Sequence, residues 1–132
     1  MLRSCFFVLL AFASCAPSPP PETTEQDRVY PYLHVDVFTN ETLTGNQLAV
    51  FLMPAGLSSE EMQLIAREMN FSETTFVFPP EQEGTEFHVR IFSRSREMDF
   101  AGHPTIGTAY VLARKGLIPA GRDRVVLGEG IG

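Results

Sequence analysis

The strongest evidence for the fold comes from a predicted helix that is apolar around much of its circumference. A short strand predicted at residues 98–100 breaks at Gly102, and the helix begins at Pro104, whose fixed φ and missing N–H suit a first helical position. It ends at Lys115-Gly116, because glycine is a common helix stop. A helix with so little polar surface predicts that a sheet surrounds it. Its apolar positions are Ile106, Ala109, Tyr110, Leu112 and Ala113.

The remaining elements favour a mixed class of fold. A second helix begins at Ser58, where Glu61 three residues later completes a capping box, and it ends at Asn70. Strands are predicted from alternating or continuous apolar residues. The sequence therefore predicts one α+β domain over residues 29–132, in which antiparallel strands wrap around the central helix. The further predicted strands cover residues 32–38, 47–52, 74–78, 87–92 and 125–127.

The first 28 residues have the pattern of an export signal and a tether. Residues 1–14 contain one Arg followed by an apolar run too short to cross a bilayer. Ala13-Ser14-Cys15 resembles the lipobox of bacterial lipoproteins, and residues 15–28 are rich in proline and polar side chains. We therefore expect lipid attachment at Cys15 and a membrane-anchored protein in the periplasm or on the cell surface. The alternative is a stray apolar N-terminus on a cytoplasmic protein.

Charge and cysteine content argue against several classes of function. The net charge of −6 argues against a nucleic-acid partner. Cleavage would remove Cys5 and lipid would occupy Cys15, which leaves no thiol for a disulfide, a metal site or nucleophilic catalysis. The three histidines show no metal-like spacing, so we expect neither a metal nor another cofactor.

Several segments together resemble one known family. The most specific are Ser-Glu-Thr-Thr-Phe at residues 72–76 and Ala-Gly-His-Pro-Thr at residues 101–105. The resemblance covers about residues 32–127 and is to the N-terminal half of PhzF-type (phenazine biosynthesis-like) proteins, which have the diaminopimelate-epimerase fold. Further matching segments are 35–39, Gly-Asn-Gln-Leu-Ala-Val at 45–50, 62–70 and 90–92.

The resemblance implies a cofactor-free isomerase or epimerase that moves a proton on a small carboxylate-bearing metabolite. The family's proton-transferring glutamate corresponds to Glu73. The Gly-His pair that lines the pocket and contacts substrate corresponds to Gly102 and His103. We expect the adjoining residues of the two motifs to complete the substrate-binding set. These are Ser72, Pro104 and Thr105.

The chemistry of these residue types suits such a reaction. A carboxylate shielded among Phe71, Phe76 and Phe78 could take a proton from carbon and return it elsewhere. N–H groups at the start of the central helix could stabilise charge that develops on the substrate. Each assignment has a simpler alternative: Glu73 could be a solvated turn residue, and His103 could cap its own helix.

Family members are about twice as long, and their second half supplies an acidic partner across the active-site cleft. The resemblance therefore implies that this chain is an N-terminal half that is inactive as an isomerase by itself. One alternative is a non-catalytic exported module that binds a small carboxylate or a partner protein. Another is a homodimer in which two halves rebuild a cleft.

Overall fold

The computed structural model describes residues 28–131. The predicted signal peptide, Cys15 and all of the tether except residue 28 lie outside this range. Within it, no helix has both the length and the apolar character needed to cross a membrane. The elements are β1 (Tyr32–Val37), β2 (Asn46–Leu52), α1 (Ser59–Met69), β3 (Glu73–Phe78), β4 (Phe87–Ser93), β5 (Glu97–Met98), α2 (Gly102–Arg114) and β6 (Leu127–Gly128).

The strands form one mixed sheet in the order β1-β2-β3-β4-β5, with β6 also paired to β4. The pairs β1–β2, β3–β4 and β4–β5 are antiparallel. The pairs β2–β3 and β4–β6 are parallel, so the prediction of antiparallel strands is wrong for these two. Between β2 and β3, helix α1 carries the chain back to the end of the sheet at which β2 began. Strands joined by such a crossover run parallel. The α+β class is confirmed.

The alternation of side chains along each strand places one helix on each face of the sheet. On one face Leu48 and Val50 pack in a cluster with Val111 and Leu112 of α2. On the other face Ala49 and Phe51 pack in a cluster with residues of α1. Each face of the central strands is therefore covered by a helix, which explains why β2 and β3 are buried along most of their length.

Two contacts fix the position of α2 on the sheet: the close packing of its Gly107 against the strands, and a buried hydrogen bond between two threonine hydroxyl groups. A Cβ atom at Gly107 would lie 2.6 Å from Leu48 Cδ2 and 2.7 Å from Val37 Cγ2, so only glycine fits there without a shift. One residue later, the hydroxyl groups of Thr108 and Thr75 are 2.9 Å apart and fully buried. These contacts connect α2 directly to β1, β2 and β3.

The prediction that a sheet surrounds α2 is wrong for the outer face of the helix. The sheet covers one side of the helix, while Ile106 and Tyr110 on the other side are 53% and 57% exposed among the described residues. The helix also begins at Gly102, two residues earlier than predicted. Pro104 is thus its third residue, which is compatible with the fold because N–H groups of the first turn have no partner inside a helix.

The local prediction for α1 is confirmed in detail. Ser58 Oγ accepts a hydrogen bond of 3.2 Å from the Glu61 N–H, and Glu61 Oε2 accepts one of 2.7 Å from the Ser58 N–H. Asn70 ends the helix with a left-handed φ of 57°. The chain leaves α1 there and enters β3 at Glu73, so the end of this helix determines where Glu73 joins the sheet.

Candidate active site

The parallel pairing of β2 and β3 brings their first residues to one end of the sheet. Leu48 pairs with Glu73 in register, and Asn46 begins β2 two residues earlier on the same face as Leu48. Glu73 shares its strand face with Thr75, which bonds to α2. Both Asn46 and Glu73 therefore lie on the face that α2 covers, where the first turn of that helix supplies His103.

The structure brings Glu73 and His103 into direct contact. Glu73 Oε2 and His103 Nε2 are 3.3 Å apart, and the two side chains are 17% and 10% exposed. Both atoms are buried, and neither has a hydrogen-bond partner among the described residues. Buried polar atoms without such bonds are energetically costly. The pair is therefore suited to receive a polar group of a ligand.

Asn46 connects His103 to Ser72, and the sequence analysis did not single it out. The Ser72 hydroxyl donates to Asn46 Oδ1 at 3.0 Å. Asn46 Nδ2 lies 3.0 Å from His103 Nδ1 and donates to it. The sequence feature that could have identified Asn46 is the Gly45-Asn46 pair at the start of β2, which belongs to one of the segments that carry the family resemblance. Ser72 itself is exposed and reaches the imidazole only through this amide.

Burial lowers the pKa of His103, and the attraction of the Glu73 carboxylate and of the Gln47 backbone carbonyl only partly offsets this effect. The imidazole is therefore neutral at neutral pH. A neutral imidazole carries one N–H donor and one lone pair. The simpler alternative, in which His103 caps α2, is not what the structure shows, because its two ring nitrogens contact Asn46 and Glu73.

The start of α2 leaves room for an anion. The N-cap residue Ala101 offers no side-chain hydrogen bond, so the N–H groups of the first turn stay uncapped by it. Gly102 does not have a positive φ, so its backbone conformation does not require glycine. A Cβ atom at Gly102 would instead meet no described atom within 4 Å. A ligand carboxylate could approach the helix end closely at this point.

Pro104 and Thr105 have different surroundings. Pro104 is buried in the first turn of α2. The Thr105 hydroxyl lies 2.8 Å from the Ala101 carbonyl oxygen and 2.7 Å from Oε1 of Glu129. Glu129 is buried, and desolvation raises its pKa despite the hydrogen bond to Thr105. The structure thus places the Thr105 side chain against protein groups, and a role in substrate binding remains a prediction.

The aromatic shield expected around Glu73 is wrong for Phe76 and Phe78. Both pack in the cluster on the α1 face, whereas Glu73 lies on the α2 face. The reason is the two-residue period of a strand, which sends side chains 73 and 76 to opposite faces. Phe71 also packs against that cluster and stacks on His34, with ring centroids 4.7 Å apart. Glu73 is shielded by its contact with the first turn of α2.

Two cavities beside α2 are lined by neither Glu73 nor His103. One of about 430 Å³ is lined by residues 35–42 together with Ile106, Gly107 and Tyr110. Another of about 300 Å³ is lined mostly by apolar side chains of α2 and of residues 125–131, together with Thr105 and Glu129. Glu73 and His103 themselves are in direct contact. Across residues 28–131, no three His, Cys, Asp or Glu side chains converge as metal ligands could.

Comparison with known proteins identifies relatives of this chain. The profile of a family described as phenazine biosynthesis-like protein (PhzC-PhzF) matches residues 35–132. An uncharacterized isomerase of Mesorhizobium japonicum is 55% identical over 82 residues, which are 62% of this chain and 27% of that protein. The trans-2,3-dihydro-3-hydroxyanthranilate isomerase of Pseudomonas aeruginosa is 46% identical over 96 residues, which are 73% of this chain and 33% of that enzyme.

A solved structure agrees with this relationship. The crystal structure of a Bacillus anthracis phenazine biosynthesis protein of the PhzF family superposes with a TM-score of 0.69 and 37% identity. The match covers 76% of this chain and 33% of that protein. The chain therefore spans about a third of the length of the relatives that it matches.

Proposed function

Because the chain belongs to the phenazine biosynthesis-like (PhzC-PhzF) family, we propose that it contributes Glu73 and His103 to an isomerase acting on a small carboxylate-bearing metabolite. One observation carries the proposal: Glu73 Oε2 and His103 Nε2 are buried 3.3 Å apart, and neither is satisfied by a hydrogen bond to a described residue. Isomerases of this kind need a proton acceptor beside a donor in a shielded place.

In the proposed reaction Glu73 is the group that moves the proton. Its carboxylate takes a proton from a carbon atom of the substrate, and the electron pair of the broken C–H bond stays in the substrate as a rearranged double bond. Glu73 then returns this proton to another carbon, where a new C–H bond forms, so the composition of the substrate is unchanged. His103, which is neutral because burial lowers its pKa, donates an N–H to the negative charge that develops.

The substrate class follows from the relatives and from the start of α2. The Pseudomonas aeruginosa relative is named for trans-2,3-dihydro-3-hydroxyanthranilate, a ring that bears a carboxylate. We propose that a small ring carboxylate of this type binds here, with its carboxylate at the open N–H groups near Gly102. Ser72 at the rim of the site and Pro104 in the same turn complete the proposed binding surface.

We propose that the chain alone exchanges a substrate proton but does not complete the isomerisation. The family resemblance implies a second acidic group on the opposite side of the cleft, and the chain spans about a third of its relatives. A homodimer held by the exposed Ile106 and Tyr110 face of α2 would not replace that group. Symmetric pairing supplies a second copy of Glu73 and not a new acid.

The test uses trans-2,3-dihydro-3-hydroxyanthranilate with the chain in D₂O, and NMR follows deuterium entering the ring carbons. We expect deuterium incorporation without conversion to product. Glu73→Gln should lower the incorporation rate about 100-fold or more, because general acid–base catalysis contributes at least this much. Glu68→Gln is the matched control, since Glu68 is an exposed glutamate on α1.

Each outcome decides between the candidate functions. Incorporation that persists in Glu73→Gln would overturn the role of Glu73. Saturable binding without any incorporation would support the non-catalytic carboxylate-binding module instead, and absence of binding would overturn both. Full conversion by the chain would contradict only the proposal that it is inactive alone.

We also propose that the protein is exported and held at a membrane by lipid on Cys15, with a cytoplasmic location as the alternative. The support is the sequence pattern of residues 1–15.

A further inference from the structure

We infer that Asn46 is a positioning residue that fixes His103 in the tautomer with its proton on Nε2, so that an N–H and not a lone pair faces Glu73. The inference deepens the proposed function, and its catalytic meaning rests on that proposal. Its structural content concerns the chain alone and can be tested without substrate.

The first argument comes from the Nδ1 side of the imidazole. The Ser72 hydroxyl donates to Asn46 Oδ1 at 3.0 Å, which turns the amide nitrogen towards His103. That nitrogen lies 3.0 Å from His103 Nδ1 and has only protons to offer. Nδ1 must therefore accept, and a neutral imidazole then carries its proton on Nε2.

The second argument comes from the Nε2 side and does not depend on how the amide is turned. An amide rotated by half a turn would place its oxygen against Nδ1 and would move the imidazole proton there. Nε2 would then direct a lone pair at Glu73 Oε2, 3.3 Å away, with both atoms buried. Two lone pairs at this distance repel strongly in a region of low dielectric, whereas an N–H on Nε2 is attracted to the carboxylate.

The two arguments give the same tautomer from opposite edges of the ring. The Gln47 backbone carbonyl also attracts a proton on this imidazole. The Asn46 amide on one edge of the ring and the Glu73 carboxylate on the other therefore act together to place that proton on Nε2. With Asn46 in place, His103 can donate to a ligand, and Glu73 is the group of the pair that accepts a proton.

The experiment measures the tautomer directly in the 132-residue chain labelled with ¹⁵N. Long-range ¹H–¹⁵N correlation spectra distinguish a protonated from an unprotonated imidazole nitrogen, and they are recorded at about pH 8, where a histidine of ordinary or lowered pKa is neutral. We expect Nε2 of His103 to be protonated and Nδ1 to be unprotonated. His34 and His88 serve as internal references, because neither contacts the amide of Asn46.

A reversal by substitution gives the second readout. In Asn46→Asp the amide donor becomes a carboxylate that can only accept, so His103 Nδ1 should acquire a proton. Asn40→Asp is the matched control, because it adds the same charge at an exposed loop position and should leave His103 unchanged. Asn46→Ala removes the amide and leaves only the Glu73 carboxylate to favour a proton on Nε2, so the fraction of His103 with its proton on Nδ1 should rise above that in the unsubstituted chain.

Protonated Nδ1 and unprotonated Nε2 in the unsubstituted chain would overturn the inference, whether or not any variant folds. An unchanged His103 in Asn46→Asp, with the signals of His34 and His88 still native, would also overturn it. Failure of the deuterium experiment would refute the proposed function and would leave this tautomer measurement unaffected, so the two failures can be told apart.

Discussion

The close approach of α2 to the sheet can be tested by adding one methyl group at Gly107. In Gly107→Ala the new Cβ would lie 2.6 Å from Leu48 Cδ2 and 2.7 Å from Val37 Cγ2. Carbon atoms pack at about 3.5–4.0 Å, so the helix or its neighbours must move by about 1 Å. Leu48 is fully buried in the core and cannot swing into solvent. The movement must therefore be taken up by the packing between α2 and the sheet.

The expected cost follows from three contributions. Overpacking of a core costs about 1–3 kcal/mol. Separation of Thr75 and Thr108, now 2.9 Å apart, costs about 1 kcal/mol more. The better helix propensity of alanine returns up to about 1 kcal/mol. The net loss in the free energy of unfolding is about 1–3 kcal/mol, since the last two contributions nearly cancel.

Urea unfolding followed by circular dichroism measures this loss. With an m-value of about 1–3 kcal/mol/M, a loss of about 2 kcal/mol lowers the midpoint by about 1 M. Gly102→Ala is the matched control, because the same change in the same helix meets no described atom within 4 Å and should alter stability by at most about 0.5 kcal/mol. A Gly107→Ala chain as stable as the unsubstituted one would refute the reasoning.

Three further predictions concern the buried bridge, the imidazole and the lipid site. Thr108→Val should cost about 1–3 kcal/mol in urea unfolding, because it leaves the Thr75 hydroxyl buried without a partner, and the double valine variant should cost less than the two single changes added together. NMR titration should place the His103 pKa below the ordinary value of 6.5. Glu73→Gln should lower the pKa of His103 further, because it removes a negative charge that attracts the imidazole proton. An upward shift of this pKa would contradict the contact between Glu73 and His103. The folded state binds this proton less readily than the unfolded state, so stability should fall as the pH decreases below 6.5. Cys15→Ser should abolish labelling of the expressed chain by radioactive palmitate in bacteria, and labelling that persists would exclude Cys15 as the lipid site.

Local sequence patterns predicted the elements well because each depends on residues a few positions apart. The capping box of Ser58 and Glu61 and the left-handed Asn70 bound α1 as expected. The alternation at Leu33, Val35 and Val37 marked β1 because a strand repeats every two residues. The start of α2 was placed two residues late, since a proline is tolerated anywhere in the uncapped first turn.

The motif residues of the site were found through family resemblance and not through their physical surroundings. Nothing in the neighbouring sequence distinguishes Glu73 from a solvated glutamate, and the three phenylalanines expected to shield it were chosen by nearness along the chain. Two of them lie on the opposite face of the sheet. Nearness in sequence is a poor guide within a strand, because adjacent side chains point in opposite directions.

Propensity, capping and apolar period act over a single turn or a few residues, so the amino-acid sequence was enough to predict which segments form helices and strands. The parallel pairing of β2 and β3, and the contact of Asn46 with His103 across 57 positions of sequence, are visible only in the folded chain. The same is true of the face of α2 that stays exposed among the described residues. Such contacts depend on how whole elements pack, and the free energy of packing is shared among side chains that are far apart in the chain.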